Sequence, residues 1–218
     1  ALSLQQRKMH PRAYPDFWES QGHSMIQTQH GAVKFDPFHW QREFVDGMTR
    51  RELILKARDV GSSEISVRVM CHKMLKEGGN LLIKADKQAN AINLVSIARH
   101  YIMSLPKEEG PRLYKDNETE LGLAGTGTIK AMARGGGRSE RCRYMILTER
   151  AFWQDSPEEI ADVSGALVAD GWQIIESTAN GFNEFHGLWA DESNGYRKTF
   201  AGRWANPTHD QGWWKDKQ

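Results

Sequence analysis

Between residues 52 and 105 apolar runs alternate in an order that leaves few folds open. Glu52-Leu53-Ile54-Leu55-Lys56 reads as a buried strand and Val60-Gly61 as a turn. From about Ser63 a helix sets Val67, Met70, Cys71, Met74 and Leu75 on one face until Gly78-Gly79 stops it. Leu81-Leu82-Ile83 is a second short strand. Ala91, Leu94, Val95, Ala98 and Ile102 then recur at helical spacing up to Leu105-Pro106. Such a βαβα run implies parallel strands joined by right-handed crossovers. It predicts a layered α/β domain with a mostly parallel central sheet flanked by helices, and ligand sites beyond the carboxyl ends of the strands.

The rest of the chain extends this pattern. Glu120 to Leu123 and Thr128 to Met132 read as a hairpin around Gly125-Thr126-Gly127. Tyr144-Met145-Ile146-Leu147 is another buried strand, Pro157 to Val168 a helix, Trp172 to Glu176 a strand and Asn183 to Trp189 a helix. Pro37 to Val45 leads into a short helix. Residues 1–35 are polar and proline-punctuated, with an aromatic cluster at Tyr14, Phe17 and Trp18, and read as an amino-terminal arm or lid. The polar tail 206–218, with Trp213 and Trp214, reads as the start of a linker, so the domain itself is expected to span 36–205.

With 218 residues, 39% of them hydrophobic, the chain can build one sizeable core. Its 29 basic and 28 acidic side chains nearly cancel, which excludes a histone-like or polyacidic protein and makes any nucleic-acid contact regional. Cys71 and Cys142 have no short-spaced partners, and the eight histidines lack metal-ligand spacing, so neither a disulfide framework nor a zinc site is expected. No run approaches the roughly 18 apolar residues of a membrane helix, and the first residues lack the apolar middle of a signal peptide. A soluble, intracellular protein is expected. Trp40, Trp153, Trp189 and Trp204 are read as core.

Three strand ends carry polar groups suited to one chemistry. Lys56 to Ser63 lies between a buried strand and a helix amino terminus, where unpaired backbone donors and the positive dipole end suit a phosphate and the Ser63 hydroxyl suits Mg2+. Against G-x-x-x-x-G-K-[ST], Gly61 and Ser63 match, Ser62 stands at the lysine and Lys56 at the first glycine. Glu149 follows the strand 144–147, where a carboxylate can orient a water for attack on a γ-phosphate. Glu176-Ser177-Thr178-Ala179-Asn180-Gly181 follows a third strand with small polar side chains.

These residues also carry a family resemblance. From about Phe35 to Trp204 the chain resembles the ATPase domain of the large terminase subunit of tailed phages, a P-loop NTPase of the RecA/ASCE-like type. Trp40 to Phe44 is similar to the adenine-reading Q motif, Lys56 to Ser63 to the family's deviant Walker A, and Arg143 to Trp153 to its Walker B. Glu176 to Gly181, continuing through Trp189, is similar to its coupling motif and the helix behind it.

The resemblance implies Gln41 at the adenine, Arg58 as a catalytic arginine reaching the phosphates, and Ser63 on Mg2+. Glu149 is implied as the catalytic acid, with Ser177, Thr178 and Asn180 sensing the γ-phosphate. Lys56, Gly61 and Ser62 complete the ATP-binding set. Thr148 stands where the family has its metal-associated aspartate, and with no lysine at Ser62 the charge must come from Lys56 or Arg58. The implied function is a motor that hydrolyses ATP to drive double-stranded DNA into a viral procapsid in the host cytoplasm. Its partners would be the portal protein, the small terminase subunit and further copies in a ring, with a monomer in isolation left open. The family's nuclease domain has no room in this chain. Lys130, Arg134, Arg138, Arg141 and Arg143 against Glu140 give a local charge of +4. That stretch could meet a DNA backbone or present an arginine such as Arg138 to a neighbouring subunit. A nucleotide-binding DNA scaffold with little turnover and a helicase-like ATPase are the alternatives.

Overall fold

A computed structural model describes residues 15–22, 24–28, 31–106, 110–133, 140–153 and 163–209. The strands are β1 (Met25–Thr28), β2 (Gly31–Lys34), β3 (Arg51–Lys56), β4 (Leu81–Ala85), β5 (Leu113–Asp116), β6 (Glu120–Leu123), β7 (Gly127–Ala133), β8 (Cys142–Thr148), β9 (Leu167–Ser177) and β10 (Arg197–Ala201). The α-helices used below are α1 (Pro15–Gln21), α2 (His39–Asp46), α3 (Ser62–Glu77), α4 (Gln88–Ser104) and α5 (Glu184–Ala190). Eight strands form one sheet in the order β10-β3-β9-β8-β4-β7-β6-β5. The six from β10 to β7 are parallel, and β6 and β5 complete the edge antiparallel. This is the mixed α/β architecture with a mainly parallel sheet that the alternation of apolar runs predicts.

The two-residue period of the central strands sorts them into two cores. Ile54, Ile83, Ile146 and Ile174 face α3 and α4, while Leu53, Leu82, Met145, Leu147 and Ile175 face the other side with Val163 and Phe185. Both faces are covered, so the strands read as near-continuous apolar runs. Each such side chain contributes roughly 1.5–3 kcal/mol by leaving water.

The predicted elements recur with shifts. The hairpin pairs Glu120 with Lys130 and Leu123 with Gly127. The helix predicted over 157–168 ends earlier: residues 163–166 are helical, Leu167 already belongs to β9, and 154–162 lie outside the described residues. Asn183 caps α5, its Oδ1 accepting the His186 amide at 3.1 Å. Trp153 is buried, but Trp204, expected in the core, is 69% exposed and packs edge-on against Phe200.

Helix α3 is buried on nearly every side from Ile65 to Met74, not on one face alone. The reason is the amino-terminal stretch, whose described part packs against it. Arg68 donates to Gln21 Oε1 at 3.0 Å, to Ser24 Oγ and to the Met25 carbonyl at 2.7 Å, and its guanidinium lies over the Phe35 ring. Phe17 stacks edge-on against His72 and is fully buried. The described start of the tail, 206–209, is anchored as well: Asn206, read as the first linker residue, donates to the Asp59 carbonyl at 2.6 Å.

Candidate active site

Because β3, β4, β8 and β9 run parallel, their carboxyl ends meet at one edge, and a cavity of about 550 Å³ opens there. Residues 56–64 after β3 form one wall. Asp86, Lys87, Asn90 and Asn93 come from the β4–α4 turn, and Glu149, Phe152 and Thr178 close the third side. Four carboxylates, Asp59, Glu64, Asp86 and Glu149, share the lining with three cations, Lys56, Arg58 and Lys87. The lining therefore carries one more negative than positive side chain, which favours a cation beside any anion that enters.

The loop from β3 to α3 is held from behind. Gly61 has φ 72°, and a Cβ there would stand 2.7 Å from Gln41 Nε2, so both conformation and close approach require glycine. Gln41 Nε2 donates to the Gly61 carbonyl at 2.8 Å and its Oε1 accepts the Phe38 amide at 2.8 Å; Trp40 Nε1 donates to the Val60 carbonyl at 3.1 Å. Asp59 also sits in the left-handed region at φ 57°, where Asn206 holds its carbonyl. No side chain among the described residues caps the first turn of α3, which leaves its amides to the cavity.

Opposite this loop, Glu149 leaves β8 with φ 52°, an uncommon conformation for a residue with a Cβ. Its carboxylate lies 2.6 Å from Lys56 Nζ, and Lys56 is 8% exposed there. Thr178 approaches the other carboxylate oxygen through its amide at 3.4 Å and its hydroxyl at 3.3 Å. The segments after β8 and β9 are tied together behind Glu149. Ser177 Oγ accepts the Ala151 amide at 3.0 Å, and Asn180 and Asn183 both donate to the Ala151 carbonyl, at 3.0 and 2.8 Å.

Beneath the cavity floor Glu176 is fully buried. Ser63 donates to its Oε1 at 2.6 Å, Thr148 to the same oxygen at 3.0 Å and Ser66 to Oε2 at 3.3 Å. The i, i+3 spacing of Ser63 and Ser66 puts both hydroxyls on the sheet side of the first turn of α3, and Thr148 is the register partner of Glu176.

Of the residues singled out from sequence, Lys56, Arg58, Gly61, Ser62, Ser63, Glu149 and Thr178 line one cavity. Gln41, Ser177 and Asn180 do not line it and instead support its walls. Arg141 is exposed just before β8, at the opposite end of the sheet. Arg134 and Arg138 lie outside the described residues. The +4 stretch is partly neutralised, since Lys130 pairs with Glu140 at 2.7 Å and Arg143 with Glu77 at 3.2 Å. Sequence reasoning missed the β4–α4 wall and gave Glu176 no role. The available signal was a carboxylate directly after Ile174-Ile175, costly to bury without partners.

No protein-family model matches the chain, and no curated protein does. Solved structures do. The ATPase domain of the large terminase of Thermus phage P74-26 superposes with a TM-score of 0.64 at 16% identity, over 95% of this chain and 92% of that one. The large terminase of a thermophilic bacteriophage, in complex with ADP, gives 0.57 at 9% identity, over 77% of this chain and 45% of that one. The UvsW helicase of bacteriophage T4 gives 0.56 at 12% identity, over 86% and 66%. This chain therefore has the fold of phage large-terminase ATPase domains and spans less than half of the ADP-bound terminase.

Proposed function

We propose that this chain is an ATP-hydrolysing motor domain that drives double-stranded DNA into a viral procapsid. The observation that carries the reading is the convergence of Lys56 and Ser63 from the end of β3 and the start of α3, Glu149 after β8 and Thr178 after β9 on one cavity at the carboxyl edge of a parallel sheet. Likeness to terminase ATPase domains and to a helicase supports a motor ATPase, and the ADP bound by the thermophilic phage terminase supports a nucleotide as the ligand.

In this mechanism the amides of the first turn of α3 and the side chains of Lys56 and Arg58 bind the phosphates. Lys56 moves from Glu149 to the phosphates as the nucleotide enters, which frees Glu149 to accept a hydrogen bond from the attacking water. Oxygen donors around Ser63 fit Mg2+, which would be held by the Ser63 hydroxyl and would supply neutralisation of phosphate charge. Thr178 touches Glu149, while Ser177 and Asn180 hold the segment behind it, so loss of the γ-phosphate at Glu149 reaches the end of β9. Gln41 braces the phosphate loop through Gly61, and the adenine contact assigned to it requires it to give up that bond or the one to the Phe38 amide. Arg134, Arg138 and Arg141 are assigned to DNA or to a neighbouring subunit, and the portal protein, the small terminase subunit and a homo-oligomeric ring complete the proposed assembly.

The T4 likeness favours one alternative, a helicase-like ATPase. Phosphate release measured with duplex and single-stranded DNA, alongside a strand-separation assay, tests both. The packaging motor responds to duplex without unwinding it, and Glu149→Gln lowers its turnover about 10²- to 10⁴-fold. Unwinding identifies a helicase. Equal background rates in wild type and Glu149→Gln would leave a nucleotide-binding scaffold.

A further inference from the structure

Metal-assisted phosphate chemistry on a phosphate loop uses two protein groups at the ion: a hydroxyl on the first turn of the helix and a carboxylate next to it. Here the hydroxyl is Ser63, but the register position on β8 holds Thr148, which carries no charge. The carboxylate is displaced by one strand. Glu176 of β9 sits beside Thr148, fully buried, and its oxygens accept from Ser63, Thr148 and Ser66. Among the described residues no cation pairs with it; Lys56, at the end of the adjoining strand, is engaged by Glu149.

A buried carboxylate held only by neutral hydroxyls leaves its negative charge uncompensated, and that charge favours a cation nearby. Because Ser63 donates its proton to Glu176, the lone pairs of its oxygen are directed away from Glu176 and toward the cavity wall that Ser63 forms. We infer that Glu176 is the positioning residue for the metal, anchoring Mg2+ through Ser63 from β9 in place of a carboxylate on β8. Thr148 completes the device by donating to Glu176, which fixes the carboxylate where Ser63 meets it. This inference rests on the reading of the cavity as a Mg–nucleotide site.

Binding of a non-hydrolysable ATP analogue to the full chain is measured in Mg2+ and in EDTA, with Mn2+ binding followed in parallel by electron paramagnetic resonance. Thermal unfolding checks each variant. Glu176→Gln, nearly isosteric, is expected to lose about tenfold or more of the affinity that the metal adds and to weaken Mn2+ binding likewise, with affinity in EDTA within about twofold of wild type. Combining Glu176→Ser with Thr148→Asp returns the carboxylate to β8 and is expected to restore the metal-dependent gain. A folded Glu176→Gln that keeps the full gain overturns the inference and leaves the nucleotide reading standing. If Glu176→Gln does not fold, the double variant decides: a restored gain supports the inference and an absent one overturns it. A wild type that binds no nucleotide in either buffer overturns both.

Discussion

Glu52 and Glu176 are both fully buried glutamates on adjoining strands, yet the molecule treats them in opposite ways. Glu52, near the amino end of β3, receives Arg197 Nε at 2.9 and 3.0 Å on its two oxygens and the Thr49 hydroxyl at 2.9 Å. Burial pushes its pKa up, and the Arg197 guanidinium opposes that rise. Among the described residues Glu176 has three hydroxyls and no cation. Glu52 is a closed unit whose charge is spent within the fold. Glu176 lies at the carboxyl edge, with its charge available to whatever enters above Ser63. At one end of the sheet buried charge joins strands; at the other it prepares a site.

The strongest attempt to break this contrast is Arg197→Met. It strands Glu52 without its cation and is expected to cost about 3–5 kcal/mol in urea unfolding, with nucleotide affinity of the folded protein within about twofold of wild type. Loss of nucleotide binding at unchanged stability would mean that Glu52 belongs to the site after all.

A second measurement sharpens the contrast with a buried group remote from both glutamates. Burial lowers the His72 pKa from 6.5 to about 4, with Lys76 and Lys73 adding to the shift and Asp16 opposing it. The folded protein keeps His72 neutral while the unfolded chain takes up a proton. Its contribution is therefore complete above pH 6.5 and is lost as pH falls toward 4, by on the order of 3 kcal/mol. Unfolding curves across that range should be flatter in His72→Gln than in wild type, and parallel curves would remove His72 as the source.

The smallest effect is expected at the loop itself. Asn206→Ala releases the Asp59 carbonyl and should cost about 1 kcal/mol of stability. Nucleotide affinity should fall by less than about tenfold, read by titration. No change in either would show that Gln41 and Trp40 hold the loop unaided.

What the sequence disclosed followed from how local its signals were. Strands buried on both faces announce themselves as apolar runs, so β3, β4 and β8 and the polar residues after them were legible. Edge strands are not. β10 reads Arg197-Lys198-Thr199-Phe200-Ala201, with no apolar run, β5 reads Leu113-Tyr114-Lys115-Asp116, and the β1–β2 hairpin has only the short apolar pairs Met25-Ile26 and Ala32-Val33. Helix α3 looked amphipathic because Arg68, His72 and Lys73 are polar, yet a segment more than 40 residues away covers Arg68. Glu176 was hidden for the same reason, since the Ser63 hydroxyl that gives it a function comes from 113 residues earlier.

Helix α3 has a mechanical consequence. Its 16 residues make a rod of about 24 Å, with Ser63 at one end and the Gly78-Gly79 stop at the other. Clamped along its length by Arg68 and the residues around it, such a rod pivots more readily than it bends. A tilt of about 5° about the Arg68 anchor displaces the glycine end, about 15 Å away, by about 1 Å, beside the Arg143–Glu77 pair at the far rim of the sheet. A lever of this kind carries ångström-scale movement to the opposite side of the protein without any strand having to slide.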